Sequence, residues 1–236
     1  MTIHYNDLDP ASSADTTAAA VVCPASTGQE PDVPVWAYRR LGKRMFDLVV
    51  VLMFLPIAVV IVGLLAACIA LSGGAPFYTQ DRVGRDGTFY RLWKLRTMVV
   101  DAEQHLHQHL LADPMARLEW DSTQKLRCDP RITRLGRFLR ASSLDELPQL
   151  WNVLRGDMSL IGPRPMMPSQ ISLYPGTAYY RLRPGISGSW QVSARNASTF
   201  AERAVFDTDY DRDVSLREDL RIFVATIKVV LCRTGH

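Results

Sequence analysis

Cysteine is scarce in this 236-residue chain, and what there is does not pair. The four residues are Cys23, Cys68, Cys128 and Cys232, with no CxxC among them. That spacing argues against a disulfide framework or a structural zinc site and suits free thiols in a reducing compartment. Lysine and arginine are absent from Met1 to Pro34, and the first long apolar run comes later. A secretory leader needs a basic start with an apolar stretch close behind, so this segment is not a signal peptide. Its Ala, Ser, Thr, Asp and Pro show no period, and residues 1–35 read as a disordered tail. There is no GxGxxG dinucleotide fingerprint either. The formal net charge is only +3. Arginines do cluster, but no recognition fold or aromatic stacking pattern accompanies them, which excludes nucleic acid as the expected partner.

Charge is missing altogether from Leu48 to Leu71. At 1.5 Å per residue a helix of that length is about 36 Å long, enough to span a bilayer. Pro56 lies inside it and predicts a break into a short arm from Phe46 to Leu55 and a longer one from Ile57 to Leu71. Basic residues flank both ends: Arg39, Arg40, Lys43 and Arg44 before, and Arg82, Arg85, Arg91, Lys94 and Arg96 after. Positive charge favours the cytoplasmic side, here at both ends, so a re-entrant hairpin stands beside a kinked spanning helix.

The remainder is polar and mixed. Phe77–Val83 and Thr88–Met98 read as strands about a Gly84-Arg85-Asp86-Gly87 turn. Asp101–Leu111 reads as a polar helix stopped near Pro114. Its His105, His107 and His109 are taken as a solvated face rather than as metal ligands. Arg131, Arg134, Arg137 and Arg140 alternate with Ile132, Leu135, Phe138 and Leu139. On a helix this gives a basic face beside an apolar one, suited to a membrane surface or to core packing. Leu216, Leu220, Phe223, Val224, Ile227 and Leu231 fall at helical spacing and leave the same two choices.

Ser142 to Asp157 is the stretch with chemistry in it. Leu147, Leu150, Trp151 and Leu154 form a helical stripe that Gly156 stops. Ser143 with Glu146 fits a capping box, whereas Asp145 as N-cap leaves Pro148 in the first turn, which a helix tolerates. A capping role thus accounts for Asp145; equally, a helix N-terminus keeps a carboxylate ionised and attracts phosphate. An ionised Asp145 beside Glu146, with Arg140 nearby, suits work on a phosphoanhydride, and two adjacent carboxylates suit a divalent cation. In Gly162-Pro163-Arg164-Pro165 two prolines fix the backbone around an arginine that can meet phosphate bidentately. In Arg183–Asn196, Gln191, Arg195 and Asn196 are candidates for contacts to a nucleotide.

Five pieces, KRMFDLVV (43–50), YTQDRVG (78–84), LWKLRTM (92–98), SLDELPQLWNVLRGDMSLIGPRP (143–165) and RPGISGSWQVSARN (183–196), together resemble the bacterial sugar transferase family, the monotopic polyprenyl-phosphate phosphoglycosyl transferases. The resemblance is strongest to the exopolysaccharide-initiating ExoY-like galactosyl-phosphate branch, as are the compact length and the lack of a multi-span segment before residue 40. It implies a helix-rich α+β fold: a small cytoplasmic catalytic domain over residues 76–236, a proline-broken re-entrant membrane helix within 36–75, and interfacial amphipathic helices. It implies transfer of a sugar-1-phosphate from a UDP-sugar, galactose by analogy or glucose, to undecaprenyl phosphate at the cytoplasmic face of the inner membrane, with release of UMP. By the same resemblance Asp145 is the nucleophile and Glu146 its partner. Arg140, Arg164 and Lys94 meet phosphate, and Mg²⁺ sits at Asp145, Glu146 and Asp157. The family also admits a homodimer. One position departs: Leu55 stands where the family often has Ser before the membrane proline, so a hydroxyl that could satisfy freed backbone groups is lacking.

Overall fold

The computed structural model describes residues 37–123, 126–193 and 199–231. The expected tail, Arg195 and Asn196 lie outside them. The fold is helix-rich α+β, as the sequence leads one to expect.

A π-turn, Tyr38–Gly42, leads into α1, Lys43–Leu71, which carries the whole apolar run. Among the described residues it is the one helix long and apolar enough to cross a membrane. The helical hydrogen-bonding pattern runs from Lys43 to Leu71 with Pro56 inside it. A proline deletes one backbone donor, and the rest of the ladder holds on either side.

Both ends of α1 are fastened to the same globular unit. At its start, Arg44 Nη1 and Nη2 donate to the carbonyls of Val153 and Leu154 at 2.6 and 2.9 Å. Asp47 Oδ1 accepts from Ser159 Oγ and from the Leu160 N–H, each at 3.0 Å. Fully buried Asp219 takes three donors: Tyr38 OH at 2.6 Å, Lys43 Nζ at 2.7 Å and Tyr210 OH at 2.5 Å. At its far end, Ile69 packs with Leu95 and Leu139, and Arg96 Nη2 donates to the Gly73 carbonyl at 2.8 Å. Between these anchors Leu52, Met53, Ile57, Val60 and Leu64 are 57–65% exposed. An apolar face so large on one helix marks contact with lipid or a partner.

Strands β1 (Phe77–Val83) and β2 (Phe89–Leu95) pair antiparallel from Phe77↔Leu95 to Val83↔Phe89. The predicted turn closes them, with Asp86 and Gly87 at φ 57° and 75°. β2 stops short of the expected Met98. The partner next in line is Pro76, which accepts from the Arg96 N–H but has none to return. Helix α2 (Ala102–Ala112) ends before Pro114, as predicted, yet that proline also opens α3 (Pro114–Thr123). Asp113 Oδ1 accepts from the Met115 and Ala116 N–H groups, the usual task of an N-cap ahead of a proline.

Helix α4 is Arg134–Ala141, capped by Thr133 Oγ1 on the Gly136 N–H at 2.8 Å. Arg131 precedes the helix and pairs with Asp129 at 2.6 Å, so the basic face consists of Arg134, Arg137 and Arg140. Leu139 is buried while Phe138 is exposed. A 3₁₀ turn (Leu144–Glu146) leads to α5 (Gln149–Arg155), which Gly156 ends at φ 90°. Then follow β3 (Ser159–Ile161), a 3₁₀ turn (Pro168–Leu173), α6 (Ala178–Arg181), β4 (Gly185–Ser187), α7 (Ser189–Ser193), α8 (Arg203–Asp213) and α9 (Leu216–Leu231). β3 and β4 pair in parallel.

The main core gathers Val51 of α1, Val153, Met158, Ile161, Val214 and Ile222. Each buried aliphatic side chain of this size is worth roughly 1.5–3 kcal/mol. Helix α9 closes the core through Ile222, with Phe223 packed against it, while Leu220, Val224 and Ile227 are exposed.

Candidate active site

The site is assembled where α4 hands over to α5. Ser143 sits at φ 56°, a left-handed conformation that costs a side-chain-bearing residue roughly 1–3 kcal/mol. It swings the chain into the short 3₁₀ turn that carries Asp145 and Glu146. Helix α5 begins only after Pro148, so Asp145 does not cap it, and Ser143 makes no capping bond. The two capping roles weighed from the sequence are both set aside. The reason is the proline: its fixed φ suits the residue at the helix boundary, and the turn before it is free to hold the carboxylates elsewhere.

Asp145 is 8% exposed. Burial pushes its carboxyl above the ordinary range and the neighbouring Glu146 adds to this, while Lys94 and Arg140 pull it partly back. Burial, rather than a helix terminus, therefore governs its ionisation. From β2, Lys94 Nζ donates to Glu146 Oε1 at 2.6 Å. From α4, Arg140 Nε donates to Thr97 Oγ1 at 2.9 Å. Arg164, on the loop leaving β3, forms no ion pair or hydrogen bond among the described residues, which leaves its donors available to a ligand.

These groups share one cavity of about 660 Å³. Asp145, Glu146, Lys94, Arg140 and Arg164 line it, together with Arg96 and Arg131. The volume lies within the roughly 300–1,000 Å³ typical of small-molecule sites. Five cations against a few carboxylates give the cavity a positive balance that suits a multiply charged anion. Arg96, Arg131 and Thr97 were not singled out from the sequence as site residues; the basic cluster after the apolar run was the signal that pointed to the arginines. A smaller cavity of about 160 Å³ adjoins it, lined by Ser143, Glu146, Leu147, Leu150, Arg164 and Gln191 among others. Gln191 Nε2 donates to the Ile186 carbonyl at 3.0 Å, and its Oε1 is buried with no partner among the described residues, an acceptor suited to a donor on a ligand.

Asp157 is not brought to the pair. It lines a different cavity with Asp81 and Arg91, and its Oδ2 accepts from Asn152 Nδ2 at 3.1 Å. No local pattern in the sequence marks Asn152, whose partners lie 59 and 61 residues away. Fully buried, it accepts from the Trp93 N–H at 3.1 Å and donates to the Arg91 carbonyl at 2.7 Å, so α5 grips β2 beside Lys94.

The donor set fits a hard divalent cation. Asp145 and Glu146 offer adjacent carboxylates in one cavity, and a cation would relieve their mutual repulsion. Mg²⁺ is such a cation, and it commonly takes one or two carboxylates from the protein and the rest of its shell from water and phosphate.

A family model described as bacterial sugar transferase matches residues 38–233. The chain belongs to the bacterial sugar transferase family. Within this sugar transferase the matched region takes in α1 and every described site residue. It is 46% identical over 198 residues to the UDP-galactose-lipid carrier transferase of Erwinia amylovora, covering 83% of this chain and 42% of that one. It is 44% identical over 198 residues to the undecaprenyl-phosphate galactose phosphotransferase of Salmonella typhimurium, again covering 83% and 42%. It is 40% identical over 201 residues to the exopolysaccharide production protein ExoY of Sinorhizobium fredii, covering 83% and 88%. The chain thus spans about two fifths of the first two relatives and most of the third.

Proposed function

We propose that this sugar transferase moves galactose-1-phosphate from UDP-galactose to undecaprenyl phosphate, releasing UMP, as the first membrane step of exopolysaccharide synthesis. The observation that carries the reading is the cavity in which a buried carboxylate, Asp145, stands among Glu146, Lys94, Arg140 and Arg164. The names of the relatives supply the sugar and the lipid carrier.

A carboxylate nucleophile divides the transfer into two displacements. In the first, an Asp145 oxygen bonds to the sugar-bearing phosphorus, and the bond to the bridging oxygen breaks. UMP leaves with that bonding pair. In the second, a phosphate oxygen of the acceptor attacks the same phosphorus, the bond to Asp145 breaks, and the carboxylate is restored. Lys94, Arg140 and Arg164 meet charge on the transferring group, where fixed donors in a cavity act more strongly than in water. Lys94 also holds Glu146 in place. Asp145 and Glu146 would hold Mg²⁺, whose chemistry is to neutralise the diphosphate. Gln191 is the described candidate for contact with the nucleoside.

Helix α1 enters and leaves on the cytoplasmic face of the inner membrane in this reading. Its support is that both ends of α1 are bonded to one globular unit while the middle turns an apolar face outward. A spanning helix would carry one end about 30 Å away from that unit. Exposed Phe138, Trp151, Leu220 and Val224 suit a domain resting on the same interface.

The test is nucleotide release by detergent-solubilised protein with UDP-galactose, Mg²⁺ and undecaprenyl phosphate, wild type beside Asp145→Asn. UMP from the wild type alone is expected. Release of UDP would indicate transfer of the sugar without its phosphate. Silence across a panel of UDP-sugars, with the protein folded, would favour a non-catalytic role in polysaccharide export.

A further inference from the structure

Arg164 lines both cavities of the site, and two further arginines that line neither, Arg82 of β1 and Arg203 of α8, are close enough to it to feel its charge. Arg82 is tied to the loop of Arg164: its Nη1 donates to the Pro165 carbonyl at 3.2 Å, and its Nη2 donates to Gln80 Oε1 at 2.6 Å. Gln80 in turn lines the basic cavity. Arg203 lies over two rings, with its guanidinium carbon 4.2 Å from the centre of Trp190 and 4.5 Å from that of Phe200. Aromatic faces hold a cation in place but leave its charge in force. The Nε atoms of Arg82 and Arg203 are both buried with no hydrogen-bond partner among the described residues. No carboxylate forms an ion pair with any of the three arginines among the described residues. The acid that acts on Arg203 is Asp207, one turn along α8, and Tyr174 OH already donates to it at 2.8 Å.

Three half-buried cations with so little counter-charge repel one another, and an arrangement of that kind is costly until an anion joins it. Burial, and next to it Arg164, push the guanidinium of Arg82 down; the same two causes push that of Arg203 down to about 10, with Asp207 opposing them. Of the three, Arg164 is the one that reaches the cavities, so a phosphate group placed there relieves all of them together. We infer that Arg82 and Arg203 are positioning residues for the sugar nucleotide, a second rank of charge that tightens the hold of Arg164 on its phosphate groups without touching them. This rests on the proposed transfer reaction and adds to it a source of affinity for the donor. Two observations favour the nucleotide over the acceptor as the anion concerned. A diphosphate brings more charge than a single phosphate to the same arginine. Trp190, on which Arg203 lies, is followed directly by Gln191, the described candidate for contact with the nucleoside.

The test is calorimetric binding of UDP, with Mg²⁺, to the full detergent-solubilised chain, with the melting transition of each variant read alongside. Arg203→Gln removes the charge and should weaken UDP by about tenfold, the scale of one unit charge acting across a partly buried site. Arg203→Lys restores the charge while losing the planar fork, and should bind within about threefold of wild type. Asp207→Asn gives a change of opposite sign. It keeps an oxygen for Tyr174 OH and strips the negative charge that faces Arg203, so UDP should bind about two- to threefold more tightly at about pH 7.5. A purely structural role for Arg203 predicts neither the rescue by lysine nor the gain in Asp207→Asn. Equal binding by wild type and Arg203→Gln overturns the inference and leaves the transfer reaction standing. So does an Arg203→Lys variant as weak as Arg203→Gln, which would make stacking rather than charge the asset. If Arg203→Gln does not fold, Asp207→Asn decides alone, and unchanged or weaker binding there overturns the inference. A wild type that binds no UDP counts against the transfer reading itself and takes this inference with it.

Discussion

Lys94 Nζ lies 2.6 Å from Glu146 Oε1, and the same ammonium is the strongest of the groups that pull the Asp145 carboxyl downward. One lysine on β2 thus orients one carboxylate and eases ionisation of the next. Neither carboxylate is on the strand that carries it; the turn opened by Ser143 brings them there.

Lys94→Met should lower kcat/KM for UMP release by about 100-fold, the usual scale for deleting one preorganised cationic or hydrogen-bonding group at a site of charge transfer. The pH profile should move as well. Asp145 attacks as the carboxylate, so activity on the acid side rises as pH climbs through its pKa. Burial raises that pKa and Lys94 opposes the rise. Removing the ammonium lifts it further and moves the acid limb to higher pH. A rate loss with an unshifted limb would leave Lys94 with no influence on Asp145.

Asp47→Ala should destabilise the protein and slow transfer together. Its Oδ1 serves Ser159 Oγ and the buried Leu160 N–H, and an unpaired buried donor costs about 1–3 kcal/mol. β3 runs from those residues into the loop of Arg164, so slack in β3 reaches the site. Asp47→Asn keeps an acceptor oxygen and should retain most of both properties. Thermal melting and UMP release, measured on both variants, check this; equal damage from both would show that charge rather than the acceptor is what matters.

Gly162→Ala should be poorly tolerated. A Cβ there would come within 2.3 Å of the Arg183 carbonyl oxygen, where β3 leaves its parallel partner. Forcing such a contact costs about 1–3 kcal/mol and moves Arg164 two residues on. A melting temperature within error of wild type would contradict the close approach.

Local signals carried much of the fold. The Gly84–Gly87 turn fixed the hairpin, Gly156 fixed the end of α5, and the uncharged run from Leu48 fixed α1. Competing local signals misled: Ser143, Asp145 and Pro148 each suggest a helix start, and only the packed structure decides among them. Ser143 also adopts a left-handed φ that its residue type does not announce. The Asp113-Pro114 pair carries two signals at once, a stop for α2 and a capped start for α3. What could not be read was long-range. Lys43 meets Asp219 across 176 residues of chain, and Asn152 joins α5 to β2 across 59 and 61. Such bonds bring both ends of α1 onto one unit and Lys94 to the carboxylates. Asp145, Glu146, Lys94, Arg140 and Arg164 were all named from the sequence and share a cavity, while Asp157 does not join them.

Asp207 gives a pH dependence of stability separate from catalysis. It is 6% exposed and accepts from Tyr174 OH at 2.8 Å. Burial pushes its carboxyl from 3.8 up to about 6, against the pull of that bond and of Arg203. The folded chain then holds a proton in a window where the unfolded chain has lost it. Stability from this group is full below about pH 4 and is lost as pH rises through about 6. The shift corresponds to at most about 3 kcal/mol. Asp207→Asn should flatten this fall in thermal melts between pH 4 and 7. Parallel wild-type and variant curves would contradict it.

The most direct measurement is a single turnover without acceptor: protein, UDP-galactose and Mg²⁺, followed by mass spectrometry of the intact chain and of the peptide containing Asp145. We expect one UMP released per active chain and a hexose-phosphate adduct on Asp145, discharged when undecaprenyl phosphate is added. UDP in place of UMP, or an adduct on another residue while Asp145→Asn still turns over, would contradict the assignment of Asp145 as nucleophile.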